Sequence, residues 1–279
     1  MTVDELEQIA ISALYRAYEV HEDLGSRGEV KLQKNQFGET ALCIDIKAEE
    51  AVIDTLKTAH VPIRLISEEH GVIDIAEKPV FLGVLDGLDG SNVYLSQRGR
   101  GRYGTMLGIF SNLAPVYEDY LCCGVMIPSP KQELFFASRG HGSSVTIDGK
   151  RKMISCSDTT ELQNTTKIYV DNNFEINRTL AARGLTECNL ACENSSAVHY
   201  TDVAKGAADA ALECTRKQNL EIAVAYGLIR ESGGVMITLD EISLGNRHYQ
   251  TFSQDKYTPI VTASTLKLAH NIVQHITSR

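Results

Sequence analysis

Asp86 and Asp89 stand three residues apart at the exit of the apolar run Val80-Phe81-Leu82-Gly83-Val84-Leu85, and Gly90 and Ser91 follow them directly. The run reads as a buried strand. Two carboxylates held on so rigid a base can share one hard cation. The glycine lets a ligand approach the backbone, and an N–H and a hydroxyl come next. The chemistry implied is a metal beside an anion pocket. The same residue types are ordinary turn formers, so a strand ending in Asp-Gly-Leu-Asp-Gly could also close in a plain loop.

Three further acidic positions sit where elements begin or end. Glu68 follows a second short strand, and if the two strands are neighbours, Glu68, Asp86 and Asp89 meet at one sheet edge. Oxygen-only ligation of this kind suits magnesium, or manganese in its place, and no His/Cys set with zinc spacing competes. Asp45 precedes a helix and Glu221 lies in the first turn of another, where each has an equally good reading as a capping or dipole-matched carboxylate. Asn219 is the expected N-cap of the second of these helices and Gly233-Gly234 its stop. Ser91 lacks the surroundings of a serine nucleophile, so water is the simpler attacking group. A hydroxyl hydrogen-bonded to Asp45 could orient that water and take its proton.

The elements that must position these groups follow from apolar spacing. Helices are expected over Val3 to Val20, Ile46 to Ala59, Ser196 to Ala204, Leu220 to Ser232 and Thr265 to Ile276. Strands are expected over Ile63 to Ile66 and Val80 to Leu85, with antiparallel strands between Tyr103 and Ala137 and a hairpin at Asp148-Gly149. Lys167 to Val170, Ala207 to Leu212, Val235 to Leu239 and Thr258 to Val261 alternate with helices. The first part is thus α+β and the second α/β, which suggests two lobes, 1–160 and 161–279, with the site in the cleft between them.

A chain of 279 residues with a net charge of −9 is not a general nucleic-acid binder. An anionic substrate would need local positive charge. Nothing apolar is long enough to span a bilayer and the first residues are acidic, so a cytoplasmic location without membrane association is expected. Seven cysteines without a Cys-x-x-Cys pair read as reduced thiols. Gln97-Arg98-Gly99-Arg100-Gly101-Arg102 reads either as a solvated basic loop or as a contact for a second substrate phosphate.

Taken together, the motifs resemble those of the inositol monophosphatase superfamily over almost the whole chain. Ser67-Glu68-Glu69 is similar to its Gly-Glu-Glu element, and Asp86 to Ser91 to its Asp-Pro-(Ile/Leu)-Asp-Gly-(Thr/Ser) motif. Leu220-Glu221-Ile222-Ala223 through Glu231-Ser232-Gly233-Gly234 is similar to its Trp-Asp-x-Ala…Glu-Ala-Gly-Gly segment. The resemblance implies a layered α-β-α-β-α sandwich, a homodimer, two or three magnesium ions, and hydrolysis of a small sugar or inositol phosphate such as inositol 1-phosphate or fructose 1,6-bisphosphate. By the same resemblance, Glu68, Asp86, the Leu88 carbonyl, Asp89 and Glu221 would hold the metals, and Asp45 with Ser91 would activate water. Gly90 and Ser91 would hold the phosphate, and Ser196 and Glu213 would lie near the substrate hydroxyls. Two positions depart from the pattern: Glu221 stands where the family has Asp, and Gly87 where it has Pro. The alternatives are a 3′-phosphoadenosine 5′-phosphate phosphatase and a non-catalytic relative that binds metal as a regulatory module.

Overall fold

The run that carries the two aspartates forms one long strand, buried on both faces. In the computed structural model, which describes residues 1–254 and 256–278, this strand runs over Phe81–Asp89, so Asp86 and Asp89 lie within it and not beyond its end. Its side chains alternate between two cores: Leu82 and Val84 enter one, Phe81 and Leu85 the other. The pairing shifts register between Asp86 and Asp89, an irregularity that re-aims the strand where the carboxylates leave it.

In chain order the elements are α1 (Val3–Leu24), β1 (Lys31–Lys34), β2 (Thr40–Leu42), α2 (Cys43–Thr58), β3 (Ile63–Ser67), β4 (Gly71–Asp74), β5 (Phe81–Asp89), α3 (Ser91–Gln97), β6 (Gly104–Phe110), β7 (Tyr120–Ile127), β8 (Glu133–Ser138), β9 (Gly142–Ile147) and β10 (Lys150–Ile154). There follow β11 (Lys167–Val170), α4 (Glu175–Gly184), β12 (Asn189–Ala191), α5 (Ser196–Ala204), β13 (Ala210–Cys214), α6 (Leu220–Glu231), β14 (Val235–Thr238), β15 (Pro259–Ala263) and α7 (Leu266–Thr277).

Eight strands form a sheet in the order β10-β9-β8-β7-β6-β5-β3-β4, antiparallel except for the β3–β5 pair. Five more form a mixed sheet in the order β12-β11-β13-β15-β14. One face of the large sheet is covered by α1 and α2 through Leu6, Leu14, Val52 and Leu56 against Leu65, Leu107 and Met126. Its other face meets α5 and α6, whose Val198, Val224 and Leu228 share a core with Val84, Phe110 and Val125 on one side and with Tyr169, Ala211 and Ile260 of the small sheet on the other. The outer face of the small sheet packs on α4 and α7 through Leu180, Leu268, Ile272 and Ile276. The layers therefore run α-β-α-β-α, as the resemblance implies.

Local chemistry explains the element ends. Thr2 and Glu5 form a reciprocal capping box on α1, and Thr265 caps α7 through the Leu268 N–H. Asp148 and Gly149 join β9 to β10 in left-handed conformations, the hairpin expected from their types. Helix α2 begins at Cys43, earlier than the apolar spacing suggests, so Asp45 lies inside its first turn and accepts the Leu42 N–H at 2.5 Å. Helix α4 and strands β1, β2, β4, β10 and β12 had no clear signal in the apolar pattern. Two arginines of the basic loop are engaged within the protein: Arg98 pairs with Glu29, and Arg102 pairs with Asp202 at 2.8 Å and reaches Glu133. No described helix is long and apolar enough to cross a membrane.

Candidate active site

Parallel pairing of β3 with β5 aligns Ser67 with Leu85, so Glu68, just past the end of β3, stands beside Asp86 within β5. The Glu68 N–H bonds the Leu85 carbonyl at 3.1 Å and fixes that junction. Asp86 accepts the Leu88 N–H at 2.9 Å. Asp89 crosses to the other side of the site, where its Oδ2 accepts the Ser195 hydroxyl at 2.6 Å and the Ala197 N–H at 2.8 Å. Ser195 is also the N-cap of α5, so one residue starts the helix and anchors the aspartate.

Glu221 enters from the first turn of α6. Asp86, Asp89 and Glu221 are all buried, and one oxygen of each lies within 4.8 Å of the others. Three buried carboxylates at this spacing repel one another strongly unless a cation sits among them. An all-oxygen donor set of this size fits a hard divalent ion. Arg216 supplies part of the compensating charge: its Nη2 lies 3.1 Å from Glu221, 3.6 Å from Asp89 and 3.3 Å from the Ser196 hydroxyl.

These groups line a cavity of about 730 Å³ that also takes in Glu68, Leu88, Gly90 and Ser91. Gly90 is left-handed, with φ at 93°, and a Cβ there would come within 2.9 Å of the Ser195 Cβ, so only glycine serves. Ser91 opens the short helix α3. Its hydroxyl lies 3.1 Å from the Leu88 carbonyl and 3.4 Å from Asp45 Oδ1. Burial pushes the Asp45 carboxyl up to about 8; Glu68, Glu69 and Glu49 push the same way, against the stabilising Leu42 N–H.

At the other end of the cavity Ser196 donates to Glu213 Oε2 at 3.2 Å, and His199 Nδ1 meets Glu213 Oε1 at 2.5 Å. The Glu193 N–H donates to His199 Nε2 at 3.0 Å, which places the ring proton on Nδ1, shared with Glu213. The structure thus brings Glu68, Asp86, Leu88, Asp89, Gly90, Ser91, Ser196 and Glu221 to one cavity, with Asp45 and Glu213 behind its wall.

Asn219 does stand before α6, but in a left-handed conformation. Its amide donates to the Phe252 carbonyl at 2.8 Å and leaves the helix uncapped by a side chain. Ser195, His199, Arg216 and Glu49 escaped the sequence reading. Only Ser195 left a signal there, as a polar residue just ahead of an apolar helical run.

The layered sheets and the buried carboxylate cluster are those of a metal-dependent phosphoric monoester hydrolase. A sequence model of the inositol monophosphatase family matches residues 2–276, and the chain belongs to that family. A fructose-1,6-bisphosphatase/inositol-1-monophosphatase of Methanothermobacter thermautotrophicus is 25% identical over 264 residues, 88% of this chain and 86% of that one. A bifunctional NADP phosphatase/NAD kinase of Methanococcus maripaludis is 27% identical over 203 residues. That match takes in 69% of this chain but only 36% of the longer relative. Among solved structures, the inositol monophosphatase of Anabaena (Nostoc) sp. PCC 7120 superposes with a TM-score of 0.72 at 19% identity, covering 99% of this chain and 96% of the other.

Proposed function

We propose that the chain hydrolyses the monophosphate ester of a small sugar or inositol, with Asp86, Asp89, Glu221 and Glu68 holding two or three magnesium ions. The observation that carries this reading is the convergence of three buried carboxylates from β5 and α6 in one cavity with Gly90 and Ser91. Bound there, the ions would supply Lewis-acid stabilisation of the phosphoryl oxygens and lower the pKa of water. The Leu88 carbonyl, which has a second lone pair beside the one facing Ser91, is the further oxygen ligand. Ser91 orients the attacking water and Asp45 takes its proton. The N–H groups of Gly90 and Ser91 hold the phosphate. Ser196 and Glu213 read the hydroxyls of the substrate.

Two arginines of the basic loop are engaged in ion pairs, and none of its three lines the cavity among the described residues, which favours a monophosphate over a bisphosphate. A second reading rests on a different observation. Phe174 and Tyr257 line the cavity with ring centroids 5.0 Å apart and ring planes tilted by 55°, an aromatic pair either ring of which could stack on the base of a phosphorylated nucleoside such as 3′-phosphoadenosine 5′-phosphate. The proposal extends to a cytoplasmic homodimer of two-lobed chains, divided near residue 160, with neither nucleic-acid nor membrane partner; the charge of −9 supports the absence of a nucleic-acid partner.

The test is phosphate release by the purified chain from inositol 1-phosphate, fructose 1,6-bisphosphate and 3′-phosphoadenosine 5′-phosphate, with and without magnesium. Magnesium-dependent release, fastest from inositol 1-phosphate, is expected. Preference for the nucleotide would favour the second reading. Magnesium binding without turnover on any of the three would point to the non-catalytic relative.

A further inference from the structure

Glu49 is fully buried on α2, away from the cavity wall, yet its carboxylate is surrounded by donors from a single turn. It accepts the Ser67 hydroxyl, the Glu68 N–H at 3.0 Å and the Glu69 N–H at 3.2 Å, and it meets His70 Nδ1 at 2.7 Å. Burying a carboxylate costs several kcal/mol unless donors of this kind converge on it. The turn that presents Glu68 is therefore wrapped around the Glu49 side chain.

The same side chain abuts the other arm of the carboxylate cluster. A Cβ on Gly87 would lie 2.8 Å from Glu49 Cγ and 2.3 Å from the Asp45 carbonyl oxygen. Helix α2 thus rests directly on β5 between Asp86 and Asp89. The glycine that departs from the motif's usual proline is the residue this contact requires, because any side chain there, proline's ring included, would force the helix away.

We infer that Glu49 is a positioning residue for the metal site: it holds the Glu68 turn by hydrogen bonds and, packed against Gly87, sets the distance from that turn to Asp86 and Asp89. The inference rests on the metal-binding reading proposed above. It says that affinity for the ions depends on a carboxylate that never touches them. Groups behind a ligand typically change metal affinity by about 10- to 100-fold when replaced.

The experiment is a magnesium titration of thermal unfolding for the full chain, comparing the unaltered protein with Glu49→Gln, Gly87→Ala, His70→Asn and Asp86→Asn. Glu49→Gln and Gly87→Ala should each raise the half-saturating magnesium concentration at least about tenfold. His70→Asn exchanges the ring N–H of this partly exposed side chain for a neutral amide, weakens the bond to Glu49 and should raise it on the order of threefold. An unchanged midpoint in Glu49→Gln would overturn the inference even if its metal-free unfolding temperature fell, since that pattern marks a purely structural role. Should Glu49→Gln fail to fold, unchanged midpoints in both Gly87→Ala and His70→Asn would overturn it equally. Asp86→Asn should abolish the magnesium-induced shift. Absence of any shift in the unaltered chain would instead remove the metal reading itself, and the inference with it.

Discussion

The wall of the site that carries Glu68, Asp86 and Asp89 is made by sheet register, whereas the wall that carries Ser196, Arg216 and Glu221 is made by helix termini and an irregular turn. On the first wall the ladder of β3, β5 and β6 fixes the backbone. Thr105 on β6 adds a bond to the Gly87 carbonyl at 2.8 Å, and its hydroxyl lies 3.2 Å from His21 Nε2. On the second wall Gln218 and Asn219 are both left-handed without being glycine, a conformation that costs about 1–2 kcal/mol per residue. What holds that turn is a side-chain bond to Phe252 and the Arg216 ion pairs. A wall set by backbone keeps its acids, and its own departure from the motif, Gly87 for proline, falls between them. A wall set by side chains can trade one acid for another, and it is there that Glu replaces the family's Asp.

The contrast can be broken most severely at Asp86. Asp86→Asn removes charge from the rigid wall and should lower phosphate release on the order of 10²- to 10³-fold, read from initial rates at saturating magnesium. A residual rate near that of the unaltered protein would show that the rigid wall does not carry the chemistry.

His21 tests the same wall through pH. Burial holds its pKa down to about 4, against 6.5 for the free side chain. The unfolded chain therefore takes up the proton first, so the stability present above pH 6.5 is lost as the pH falls from there toward 4. The loss amounts to roughly 3 kcal/mol. Urea unfolding at pH 7 and pH 4.5 should show that slope, and His21→Phe should flatten it.

A smaller effect is expected on the adaptable wall. Glu221→Asp draws the carboxylate back by one methylene from Arg216 and the two aspartates, and should cost about tenfold in kcat/KM. A gain would mean that the natural site is impaired by its longer acid. Least of all should change when Arg98 and Arg100 become alanine together. Stability should move by less than about 1 kcal/mol, with equal KM effects on fructose 1,6-bisphosphate and inositol 1-phosphate.

The two walls also differed in how legible they were before folding was known. Glu68, Asp86 and Asp89 stand out because apolar runs deliver them, and a strand's period is written locally. Glu221 was visible for a similar reason, ahead of an apolar helix. Glu49 was not, because one acid within an amphipathic helix looks solvated until the turn at Ser67–His70 folds over it. Arg216 was hidden because its partners come from β5 and α6. The start of α2 at Cys43 was missed because the Asp45 carboxylate, reaching back to Leu42, extends the helix past its apolar stripe. The alternation of elements showed an α+β part and an α/β part, and the layer order came from the resemblance to the family, whereas the left-handed Asn219 depends on contact with Phe252, which lies far along the chain.

The strand-borne acids and the helix-borne acid have a consequence for how the protein comes into being. Asp86 and Asp89 emerge during synthesis long before Glu221, and α6 reaches them only once β11, α5 and β13 have been made. A nascent chain stopped short of α6 would hold two aspartates and no closed cluster. Competence to bind metal would then arrive near the end of assembly, after the slow long-range pairing is complete. Magnesium in the cell would act as a late lock on a finished molecule, and a truncated or stalled chain would be distinguished from it by remaining indifferent to the ion.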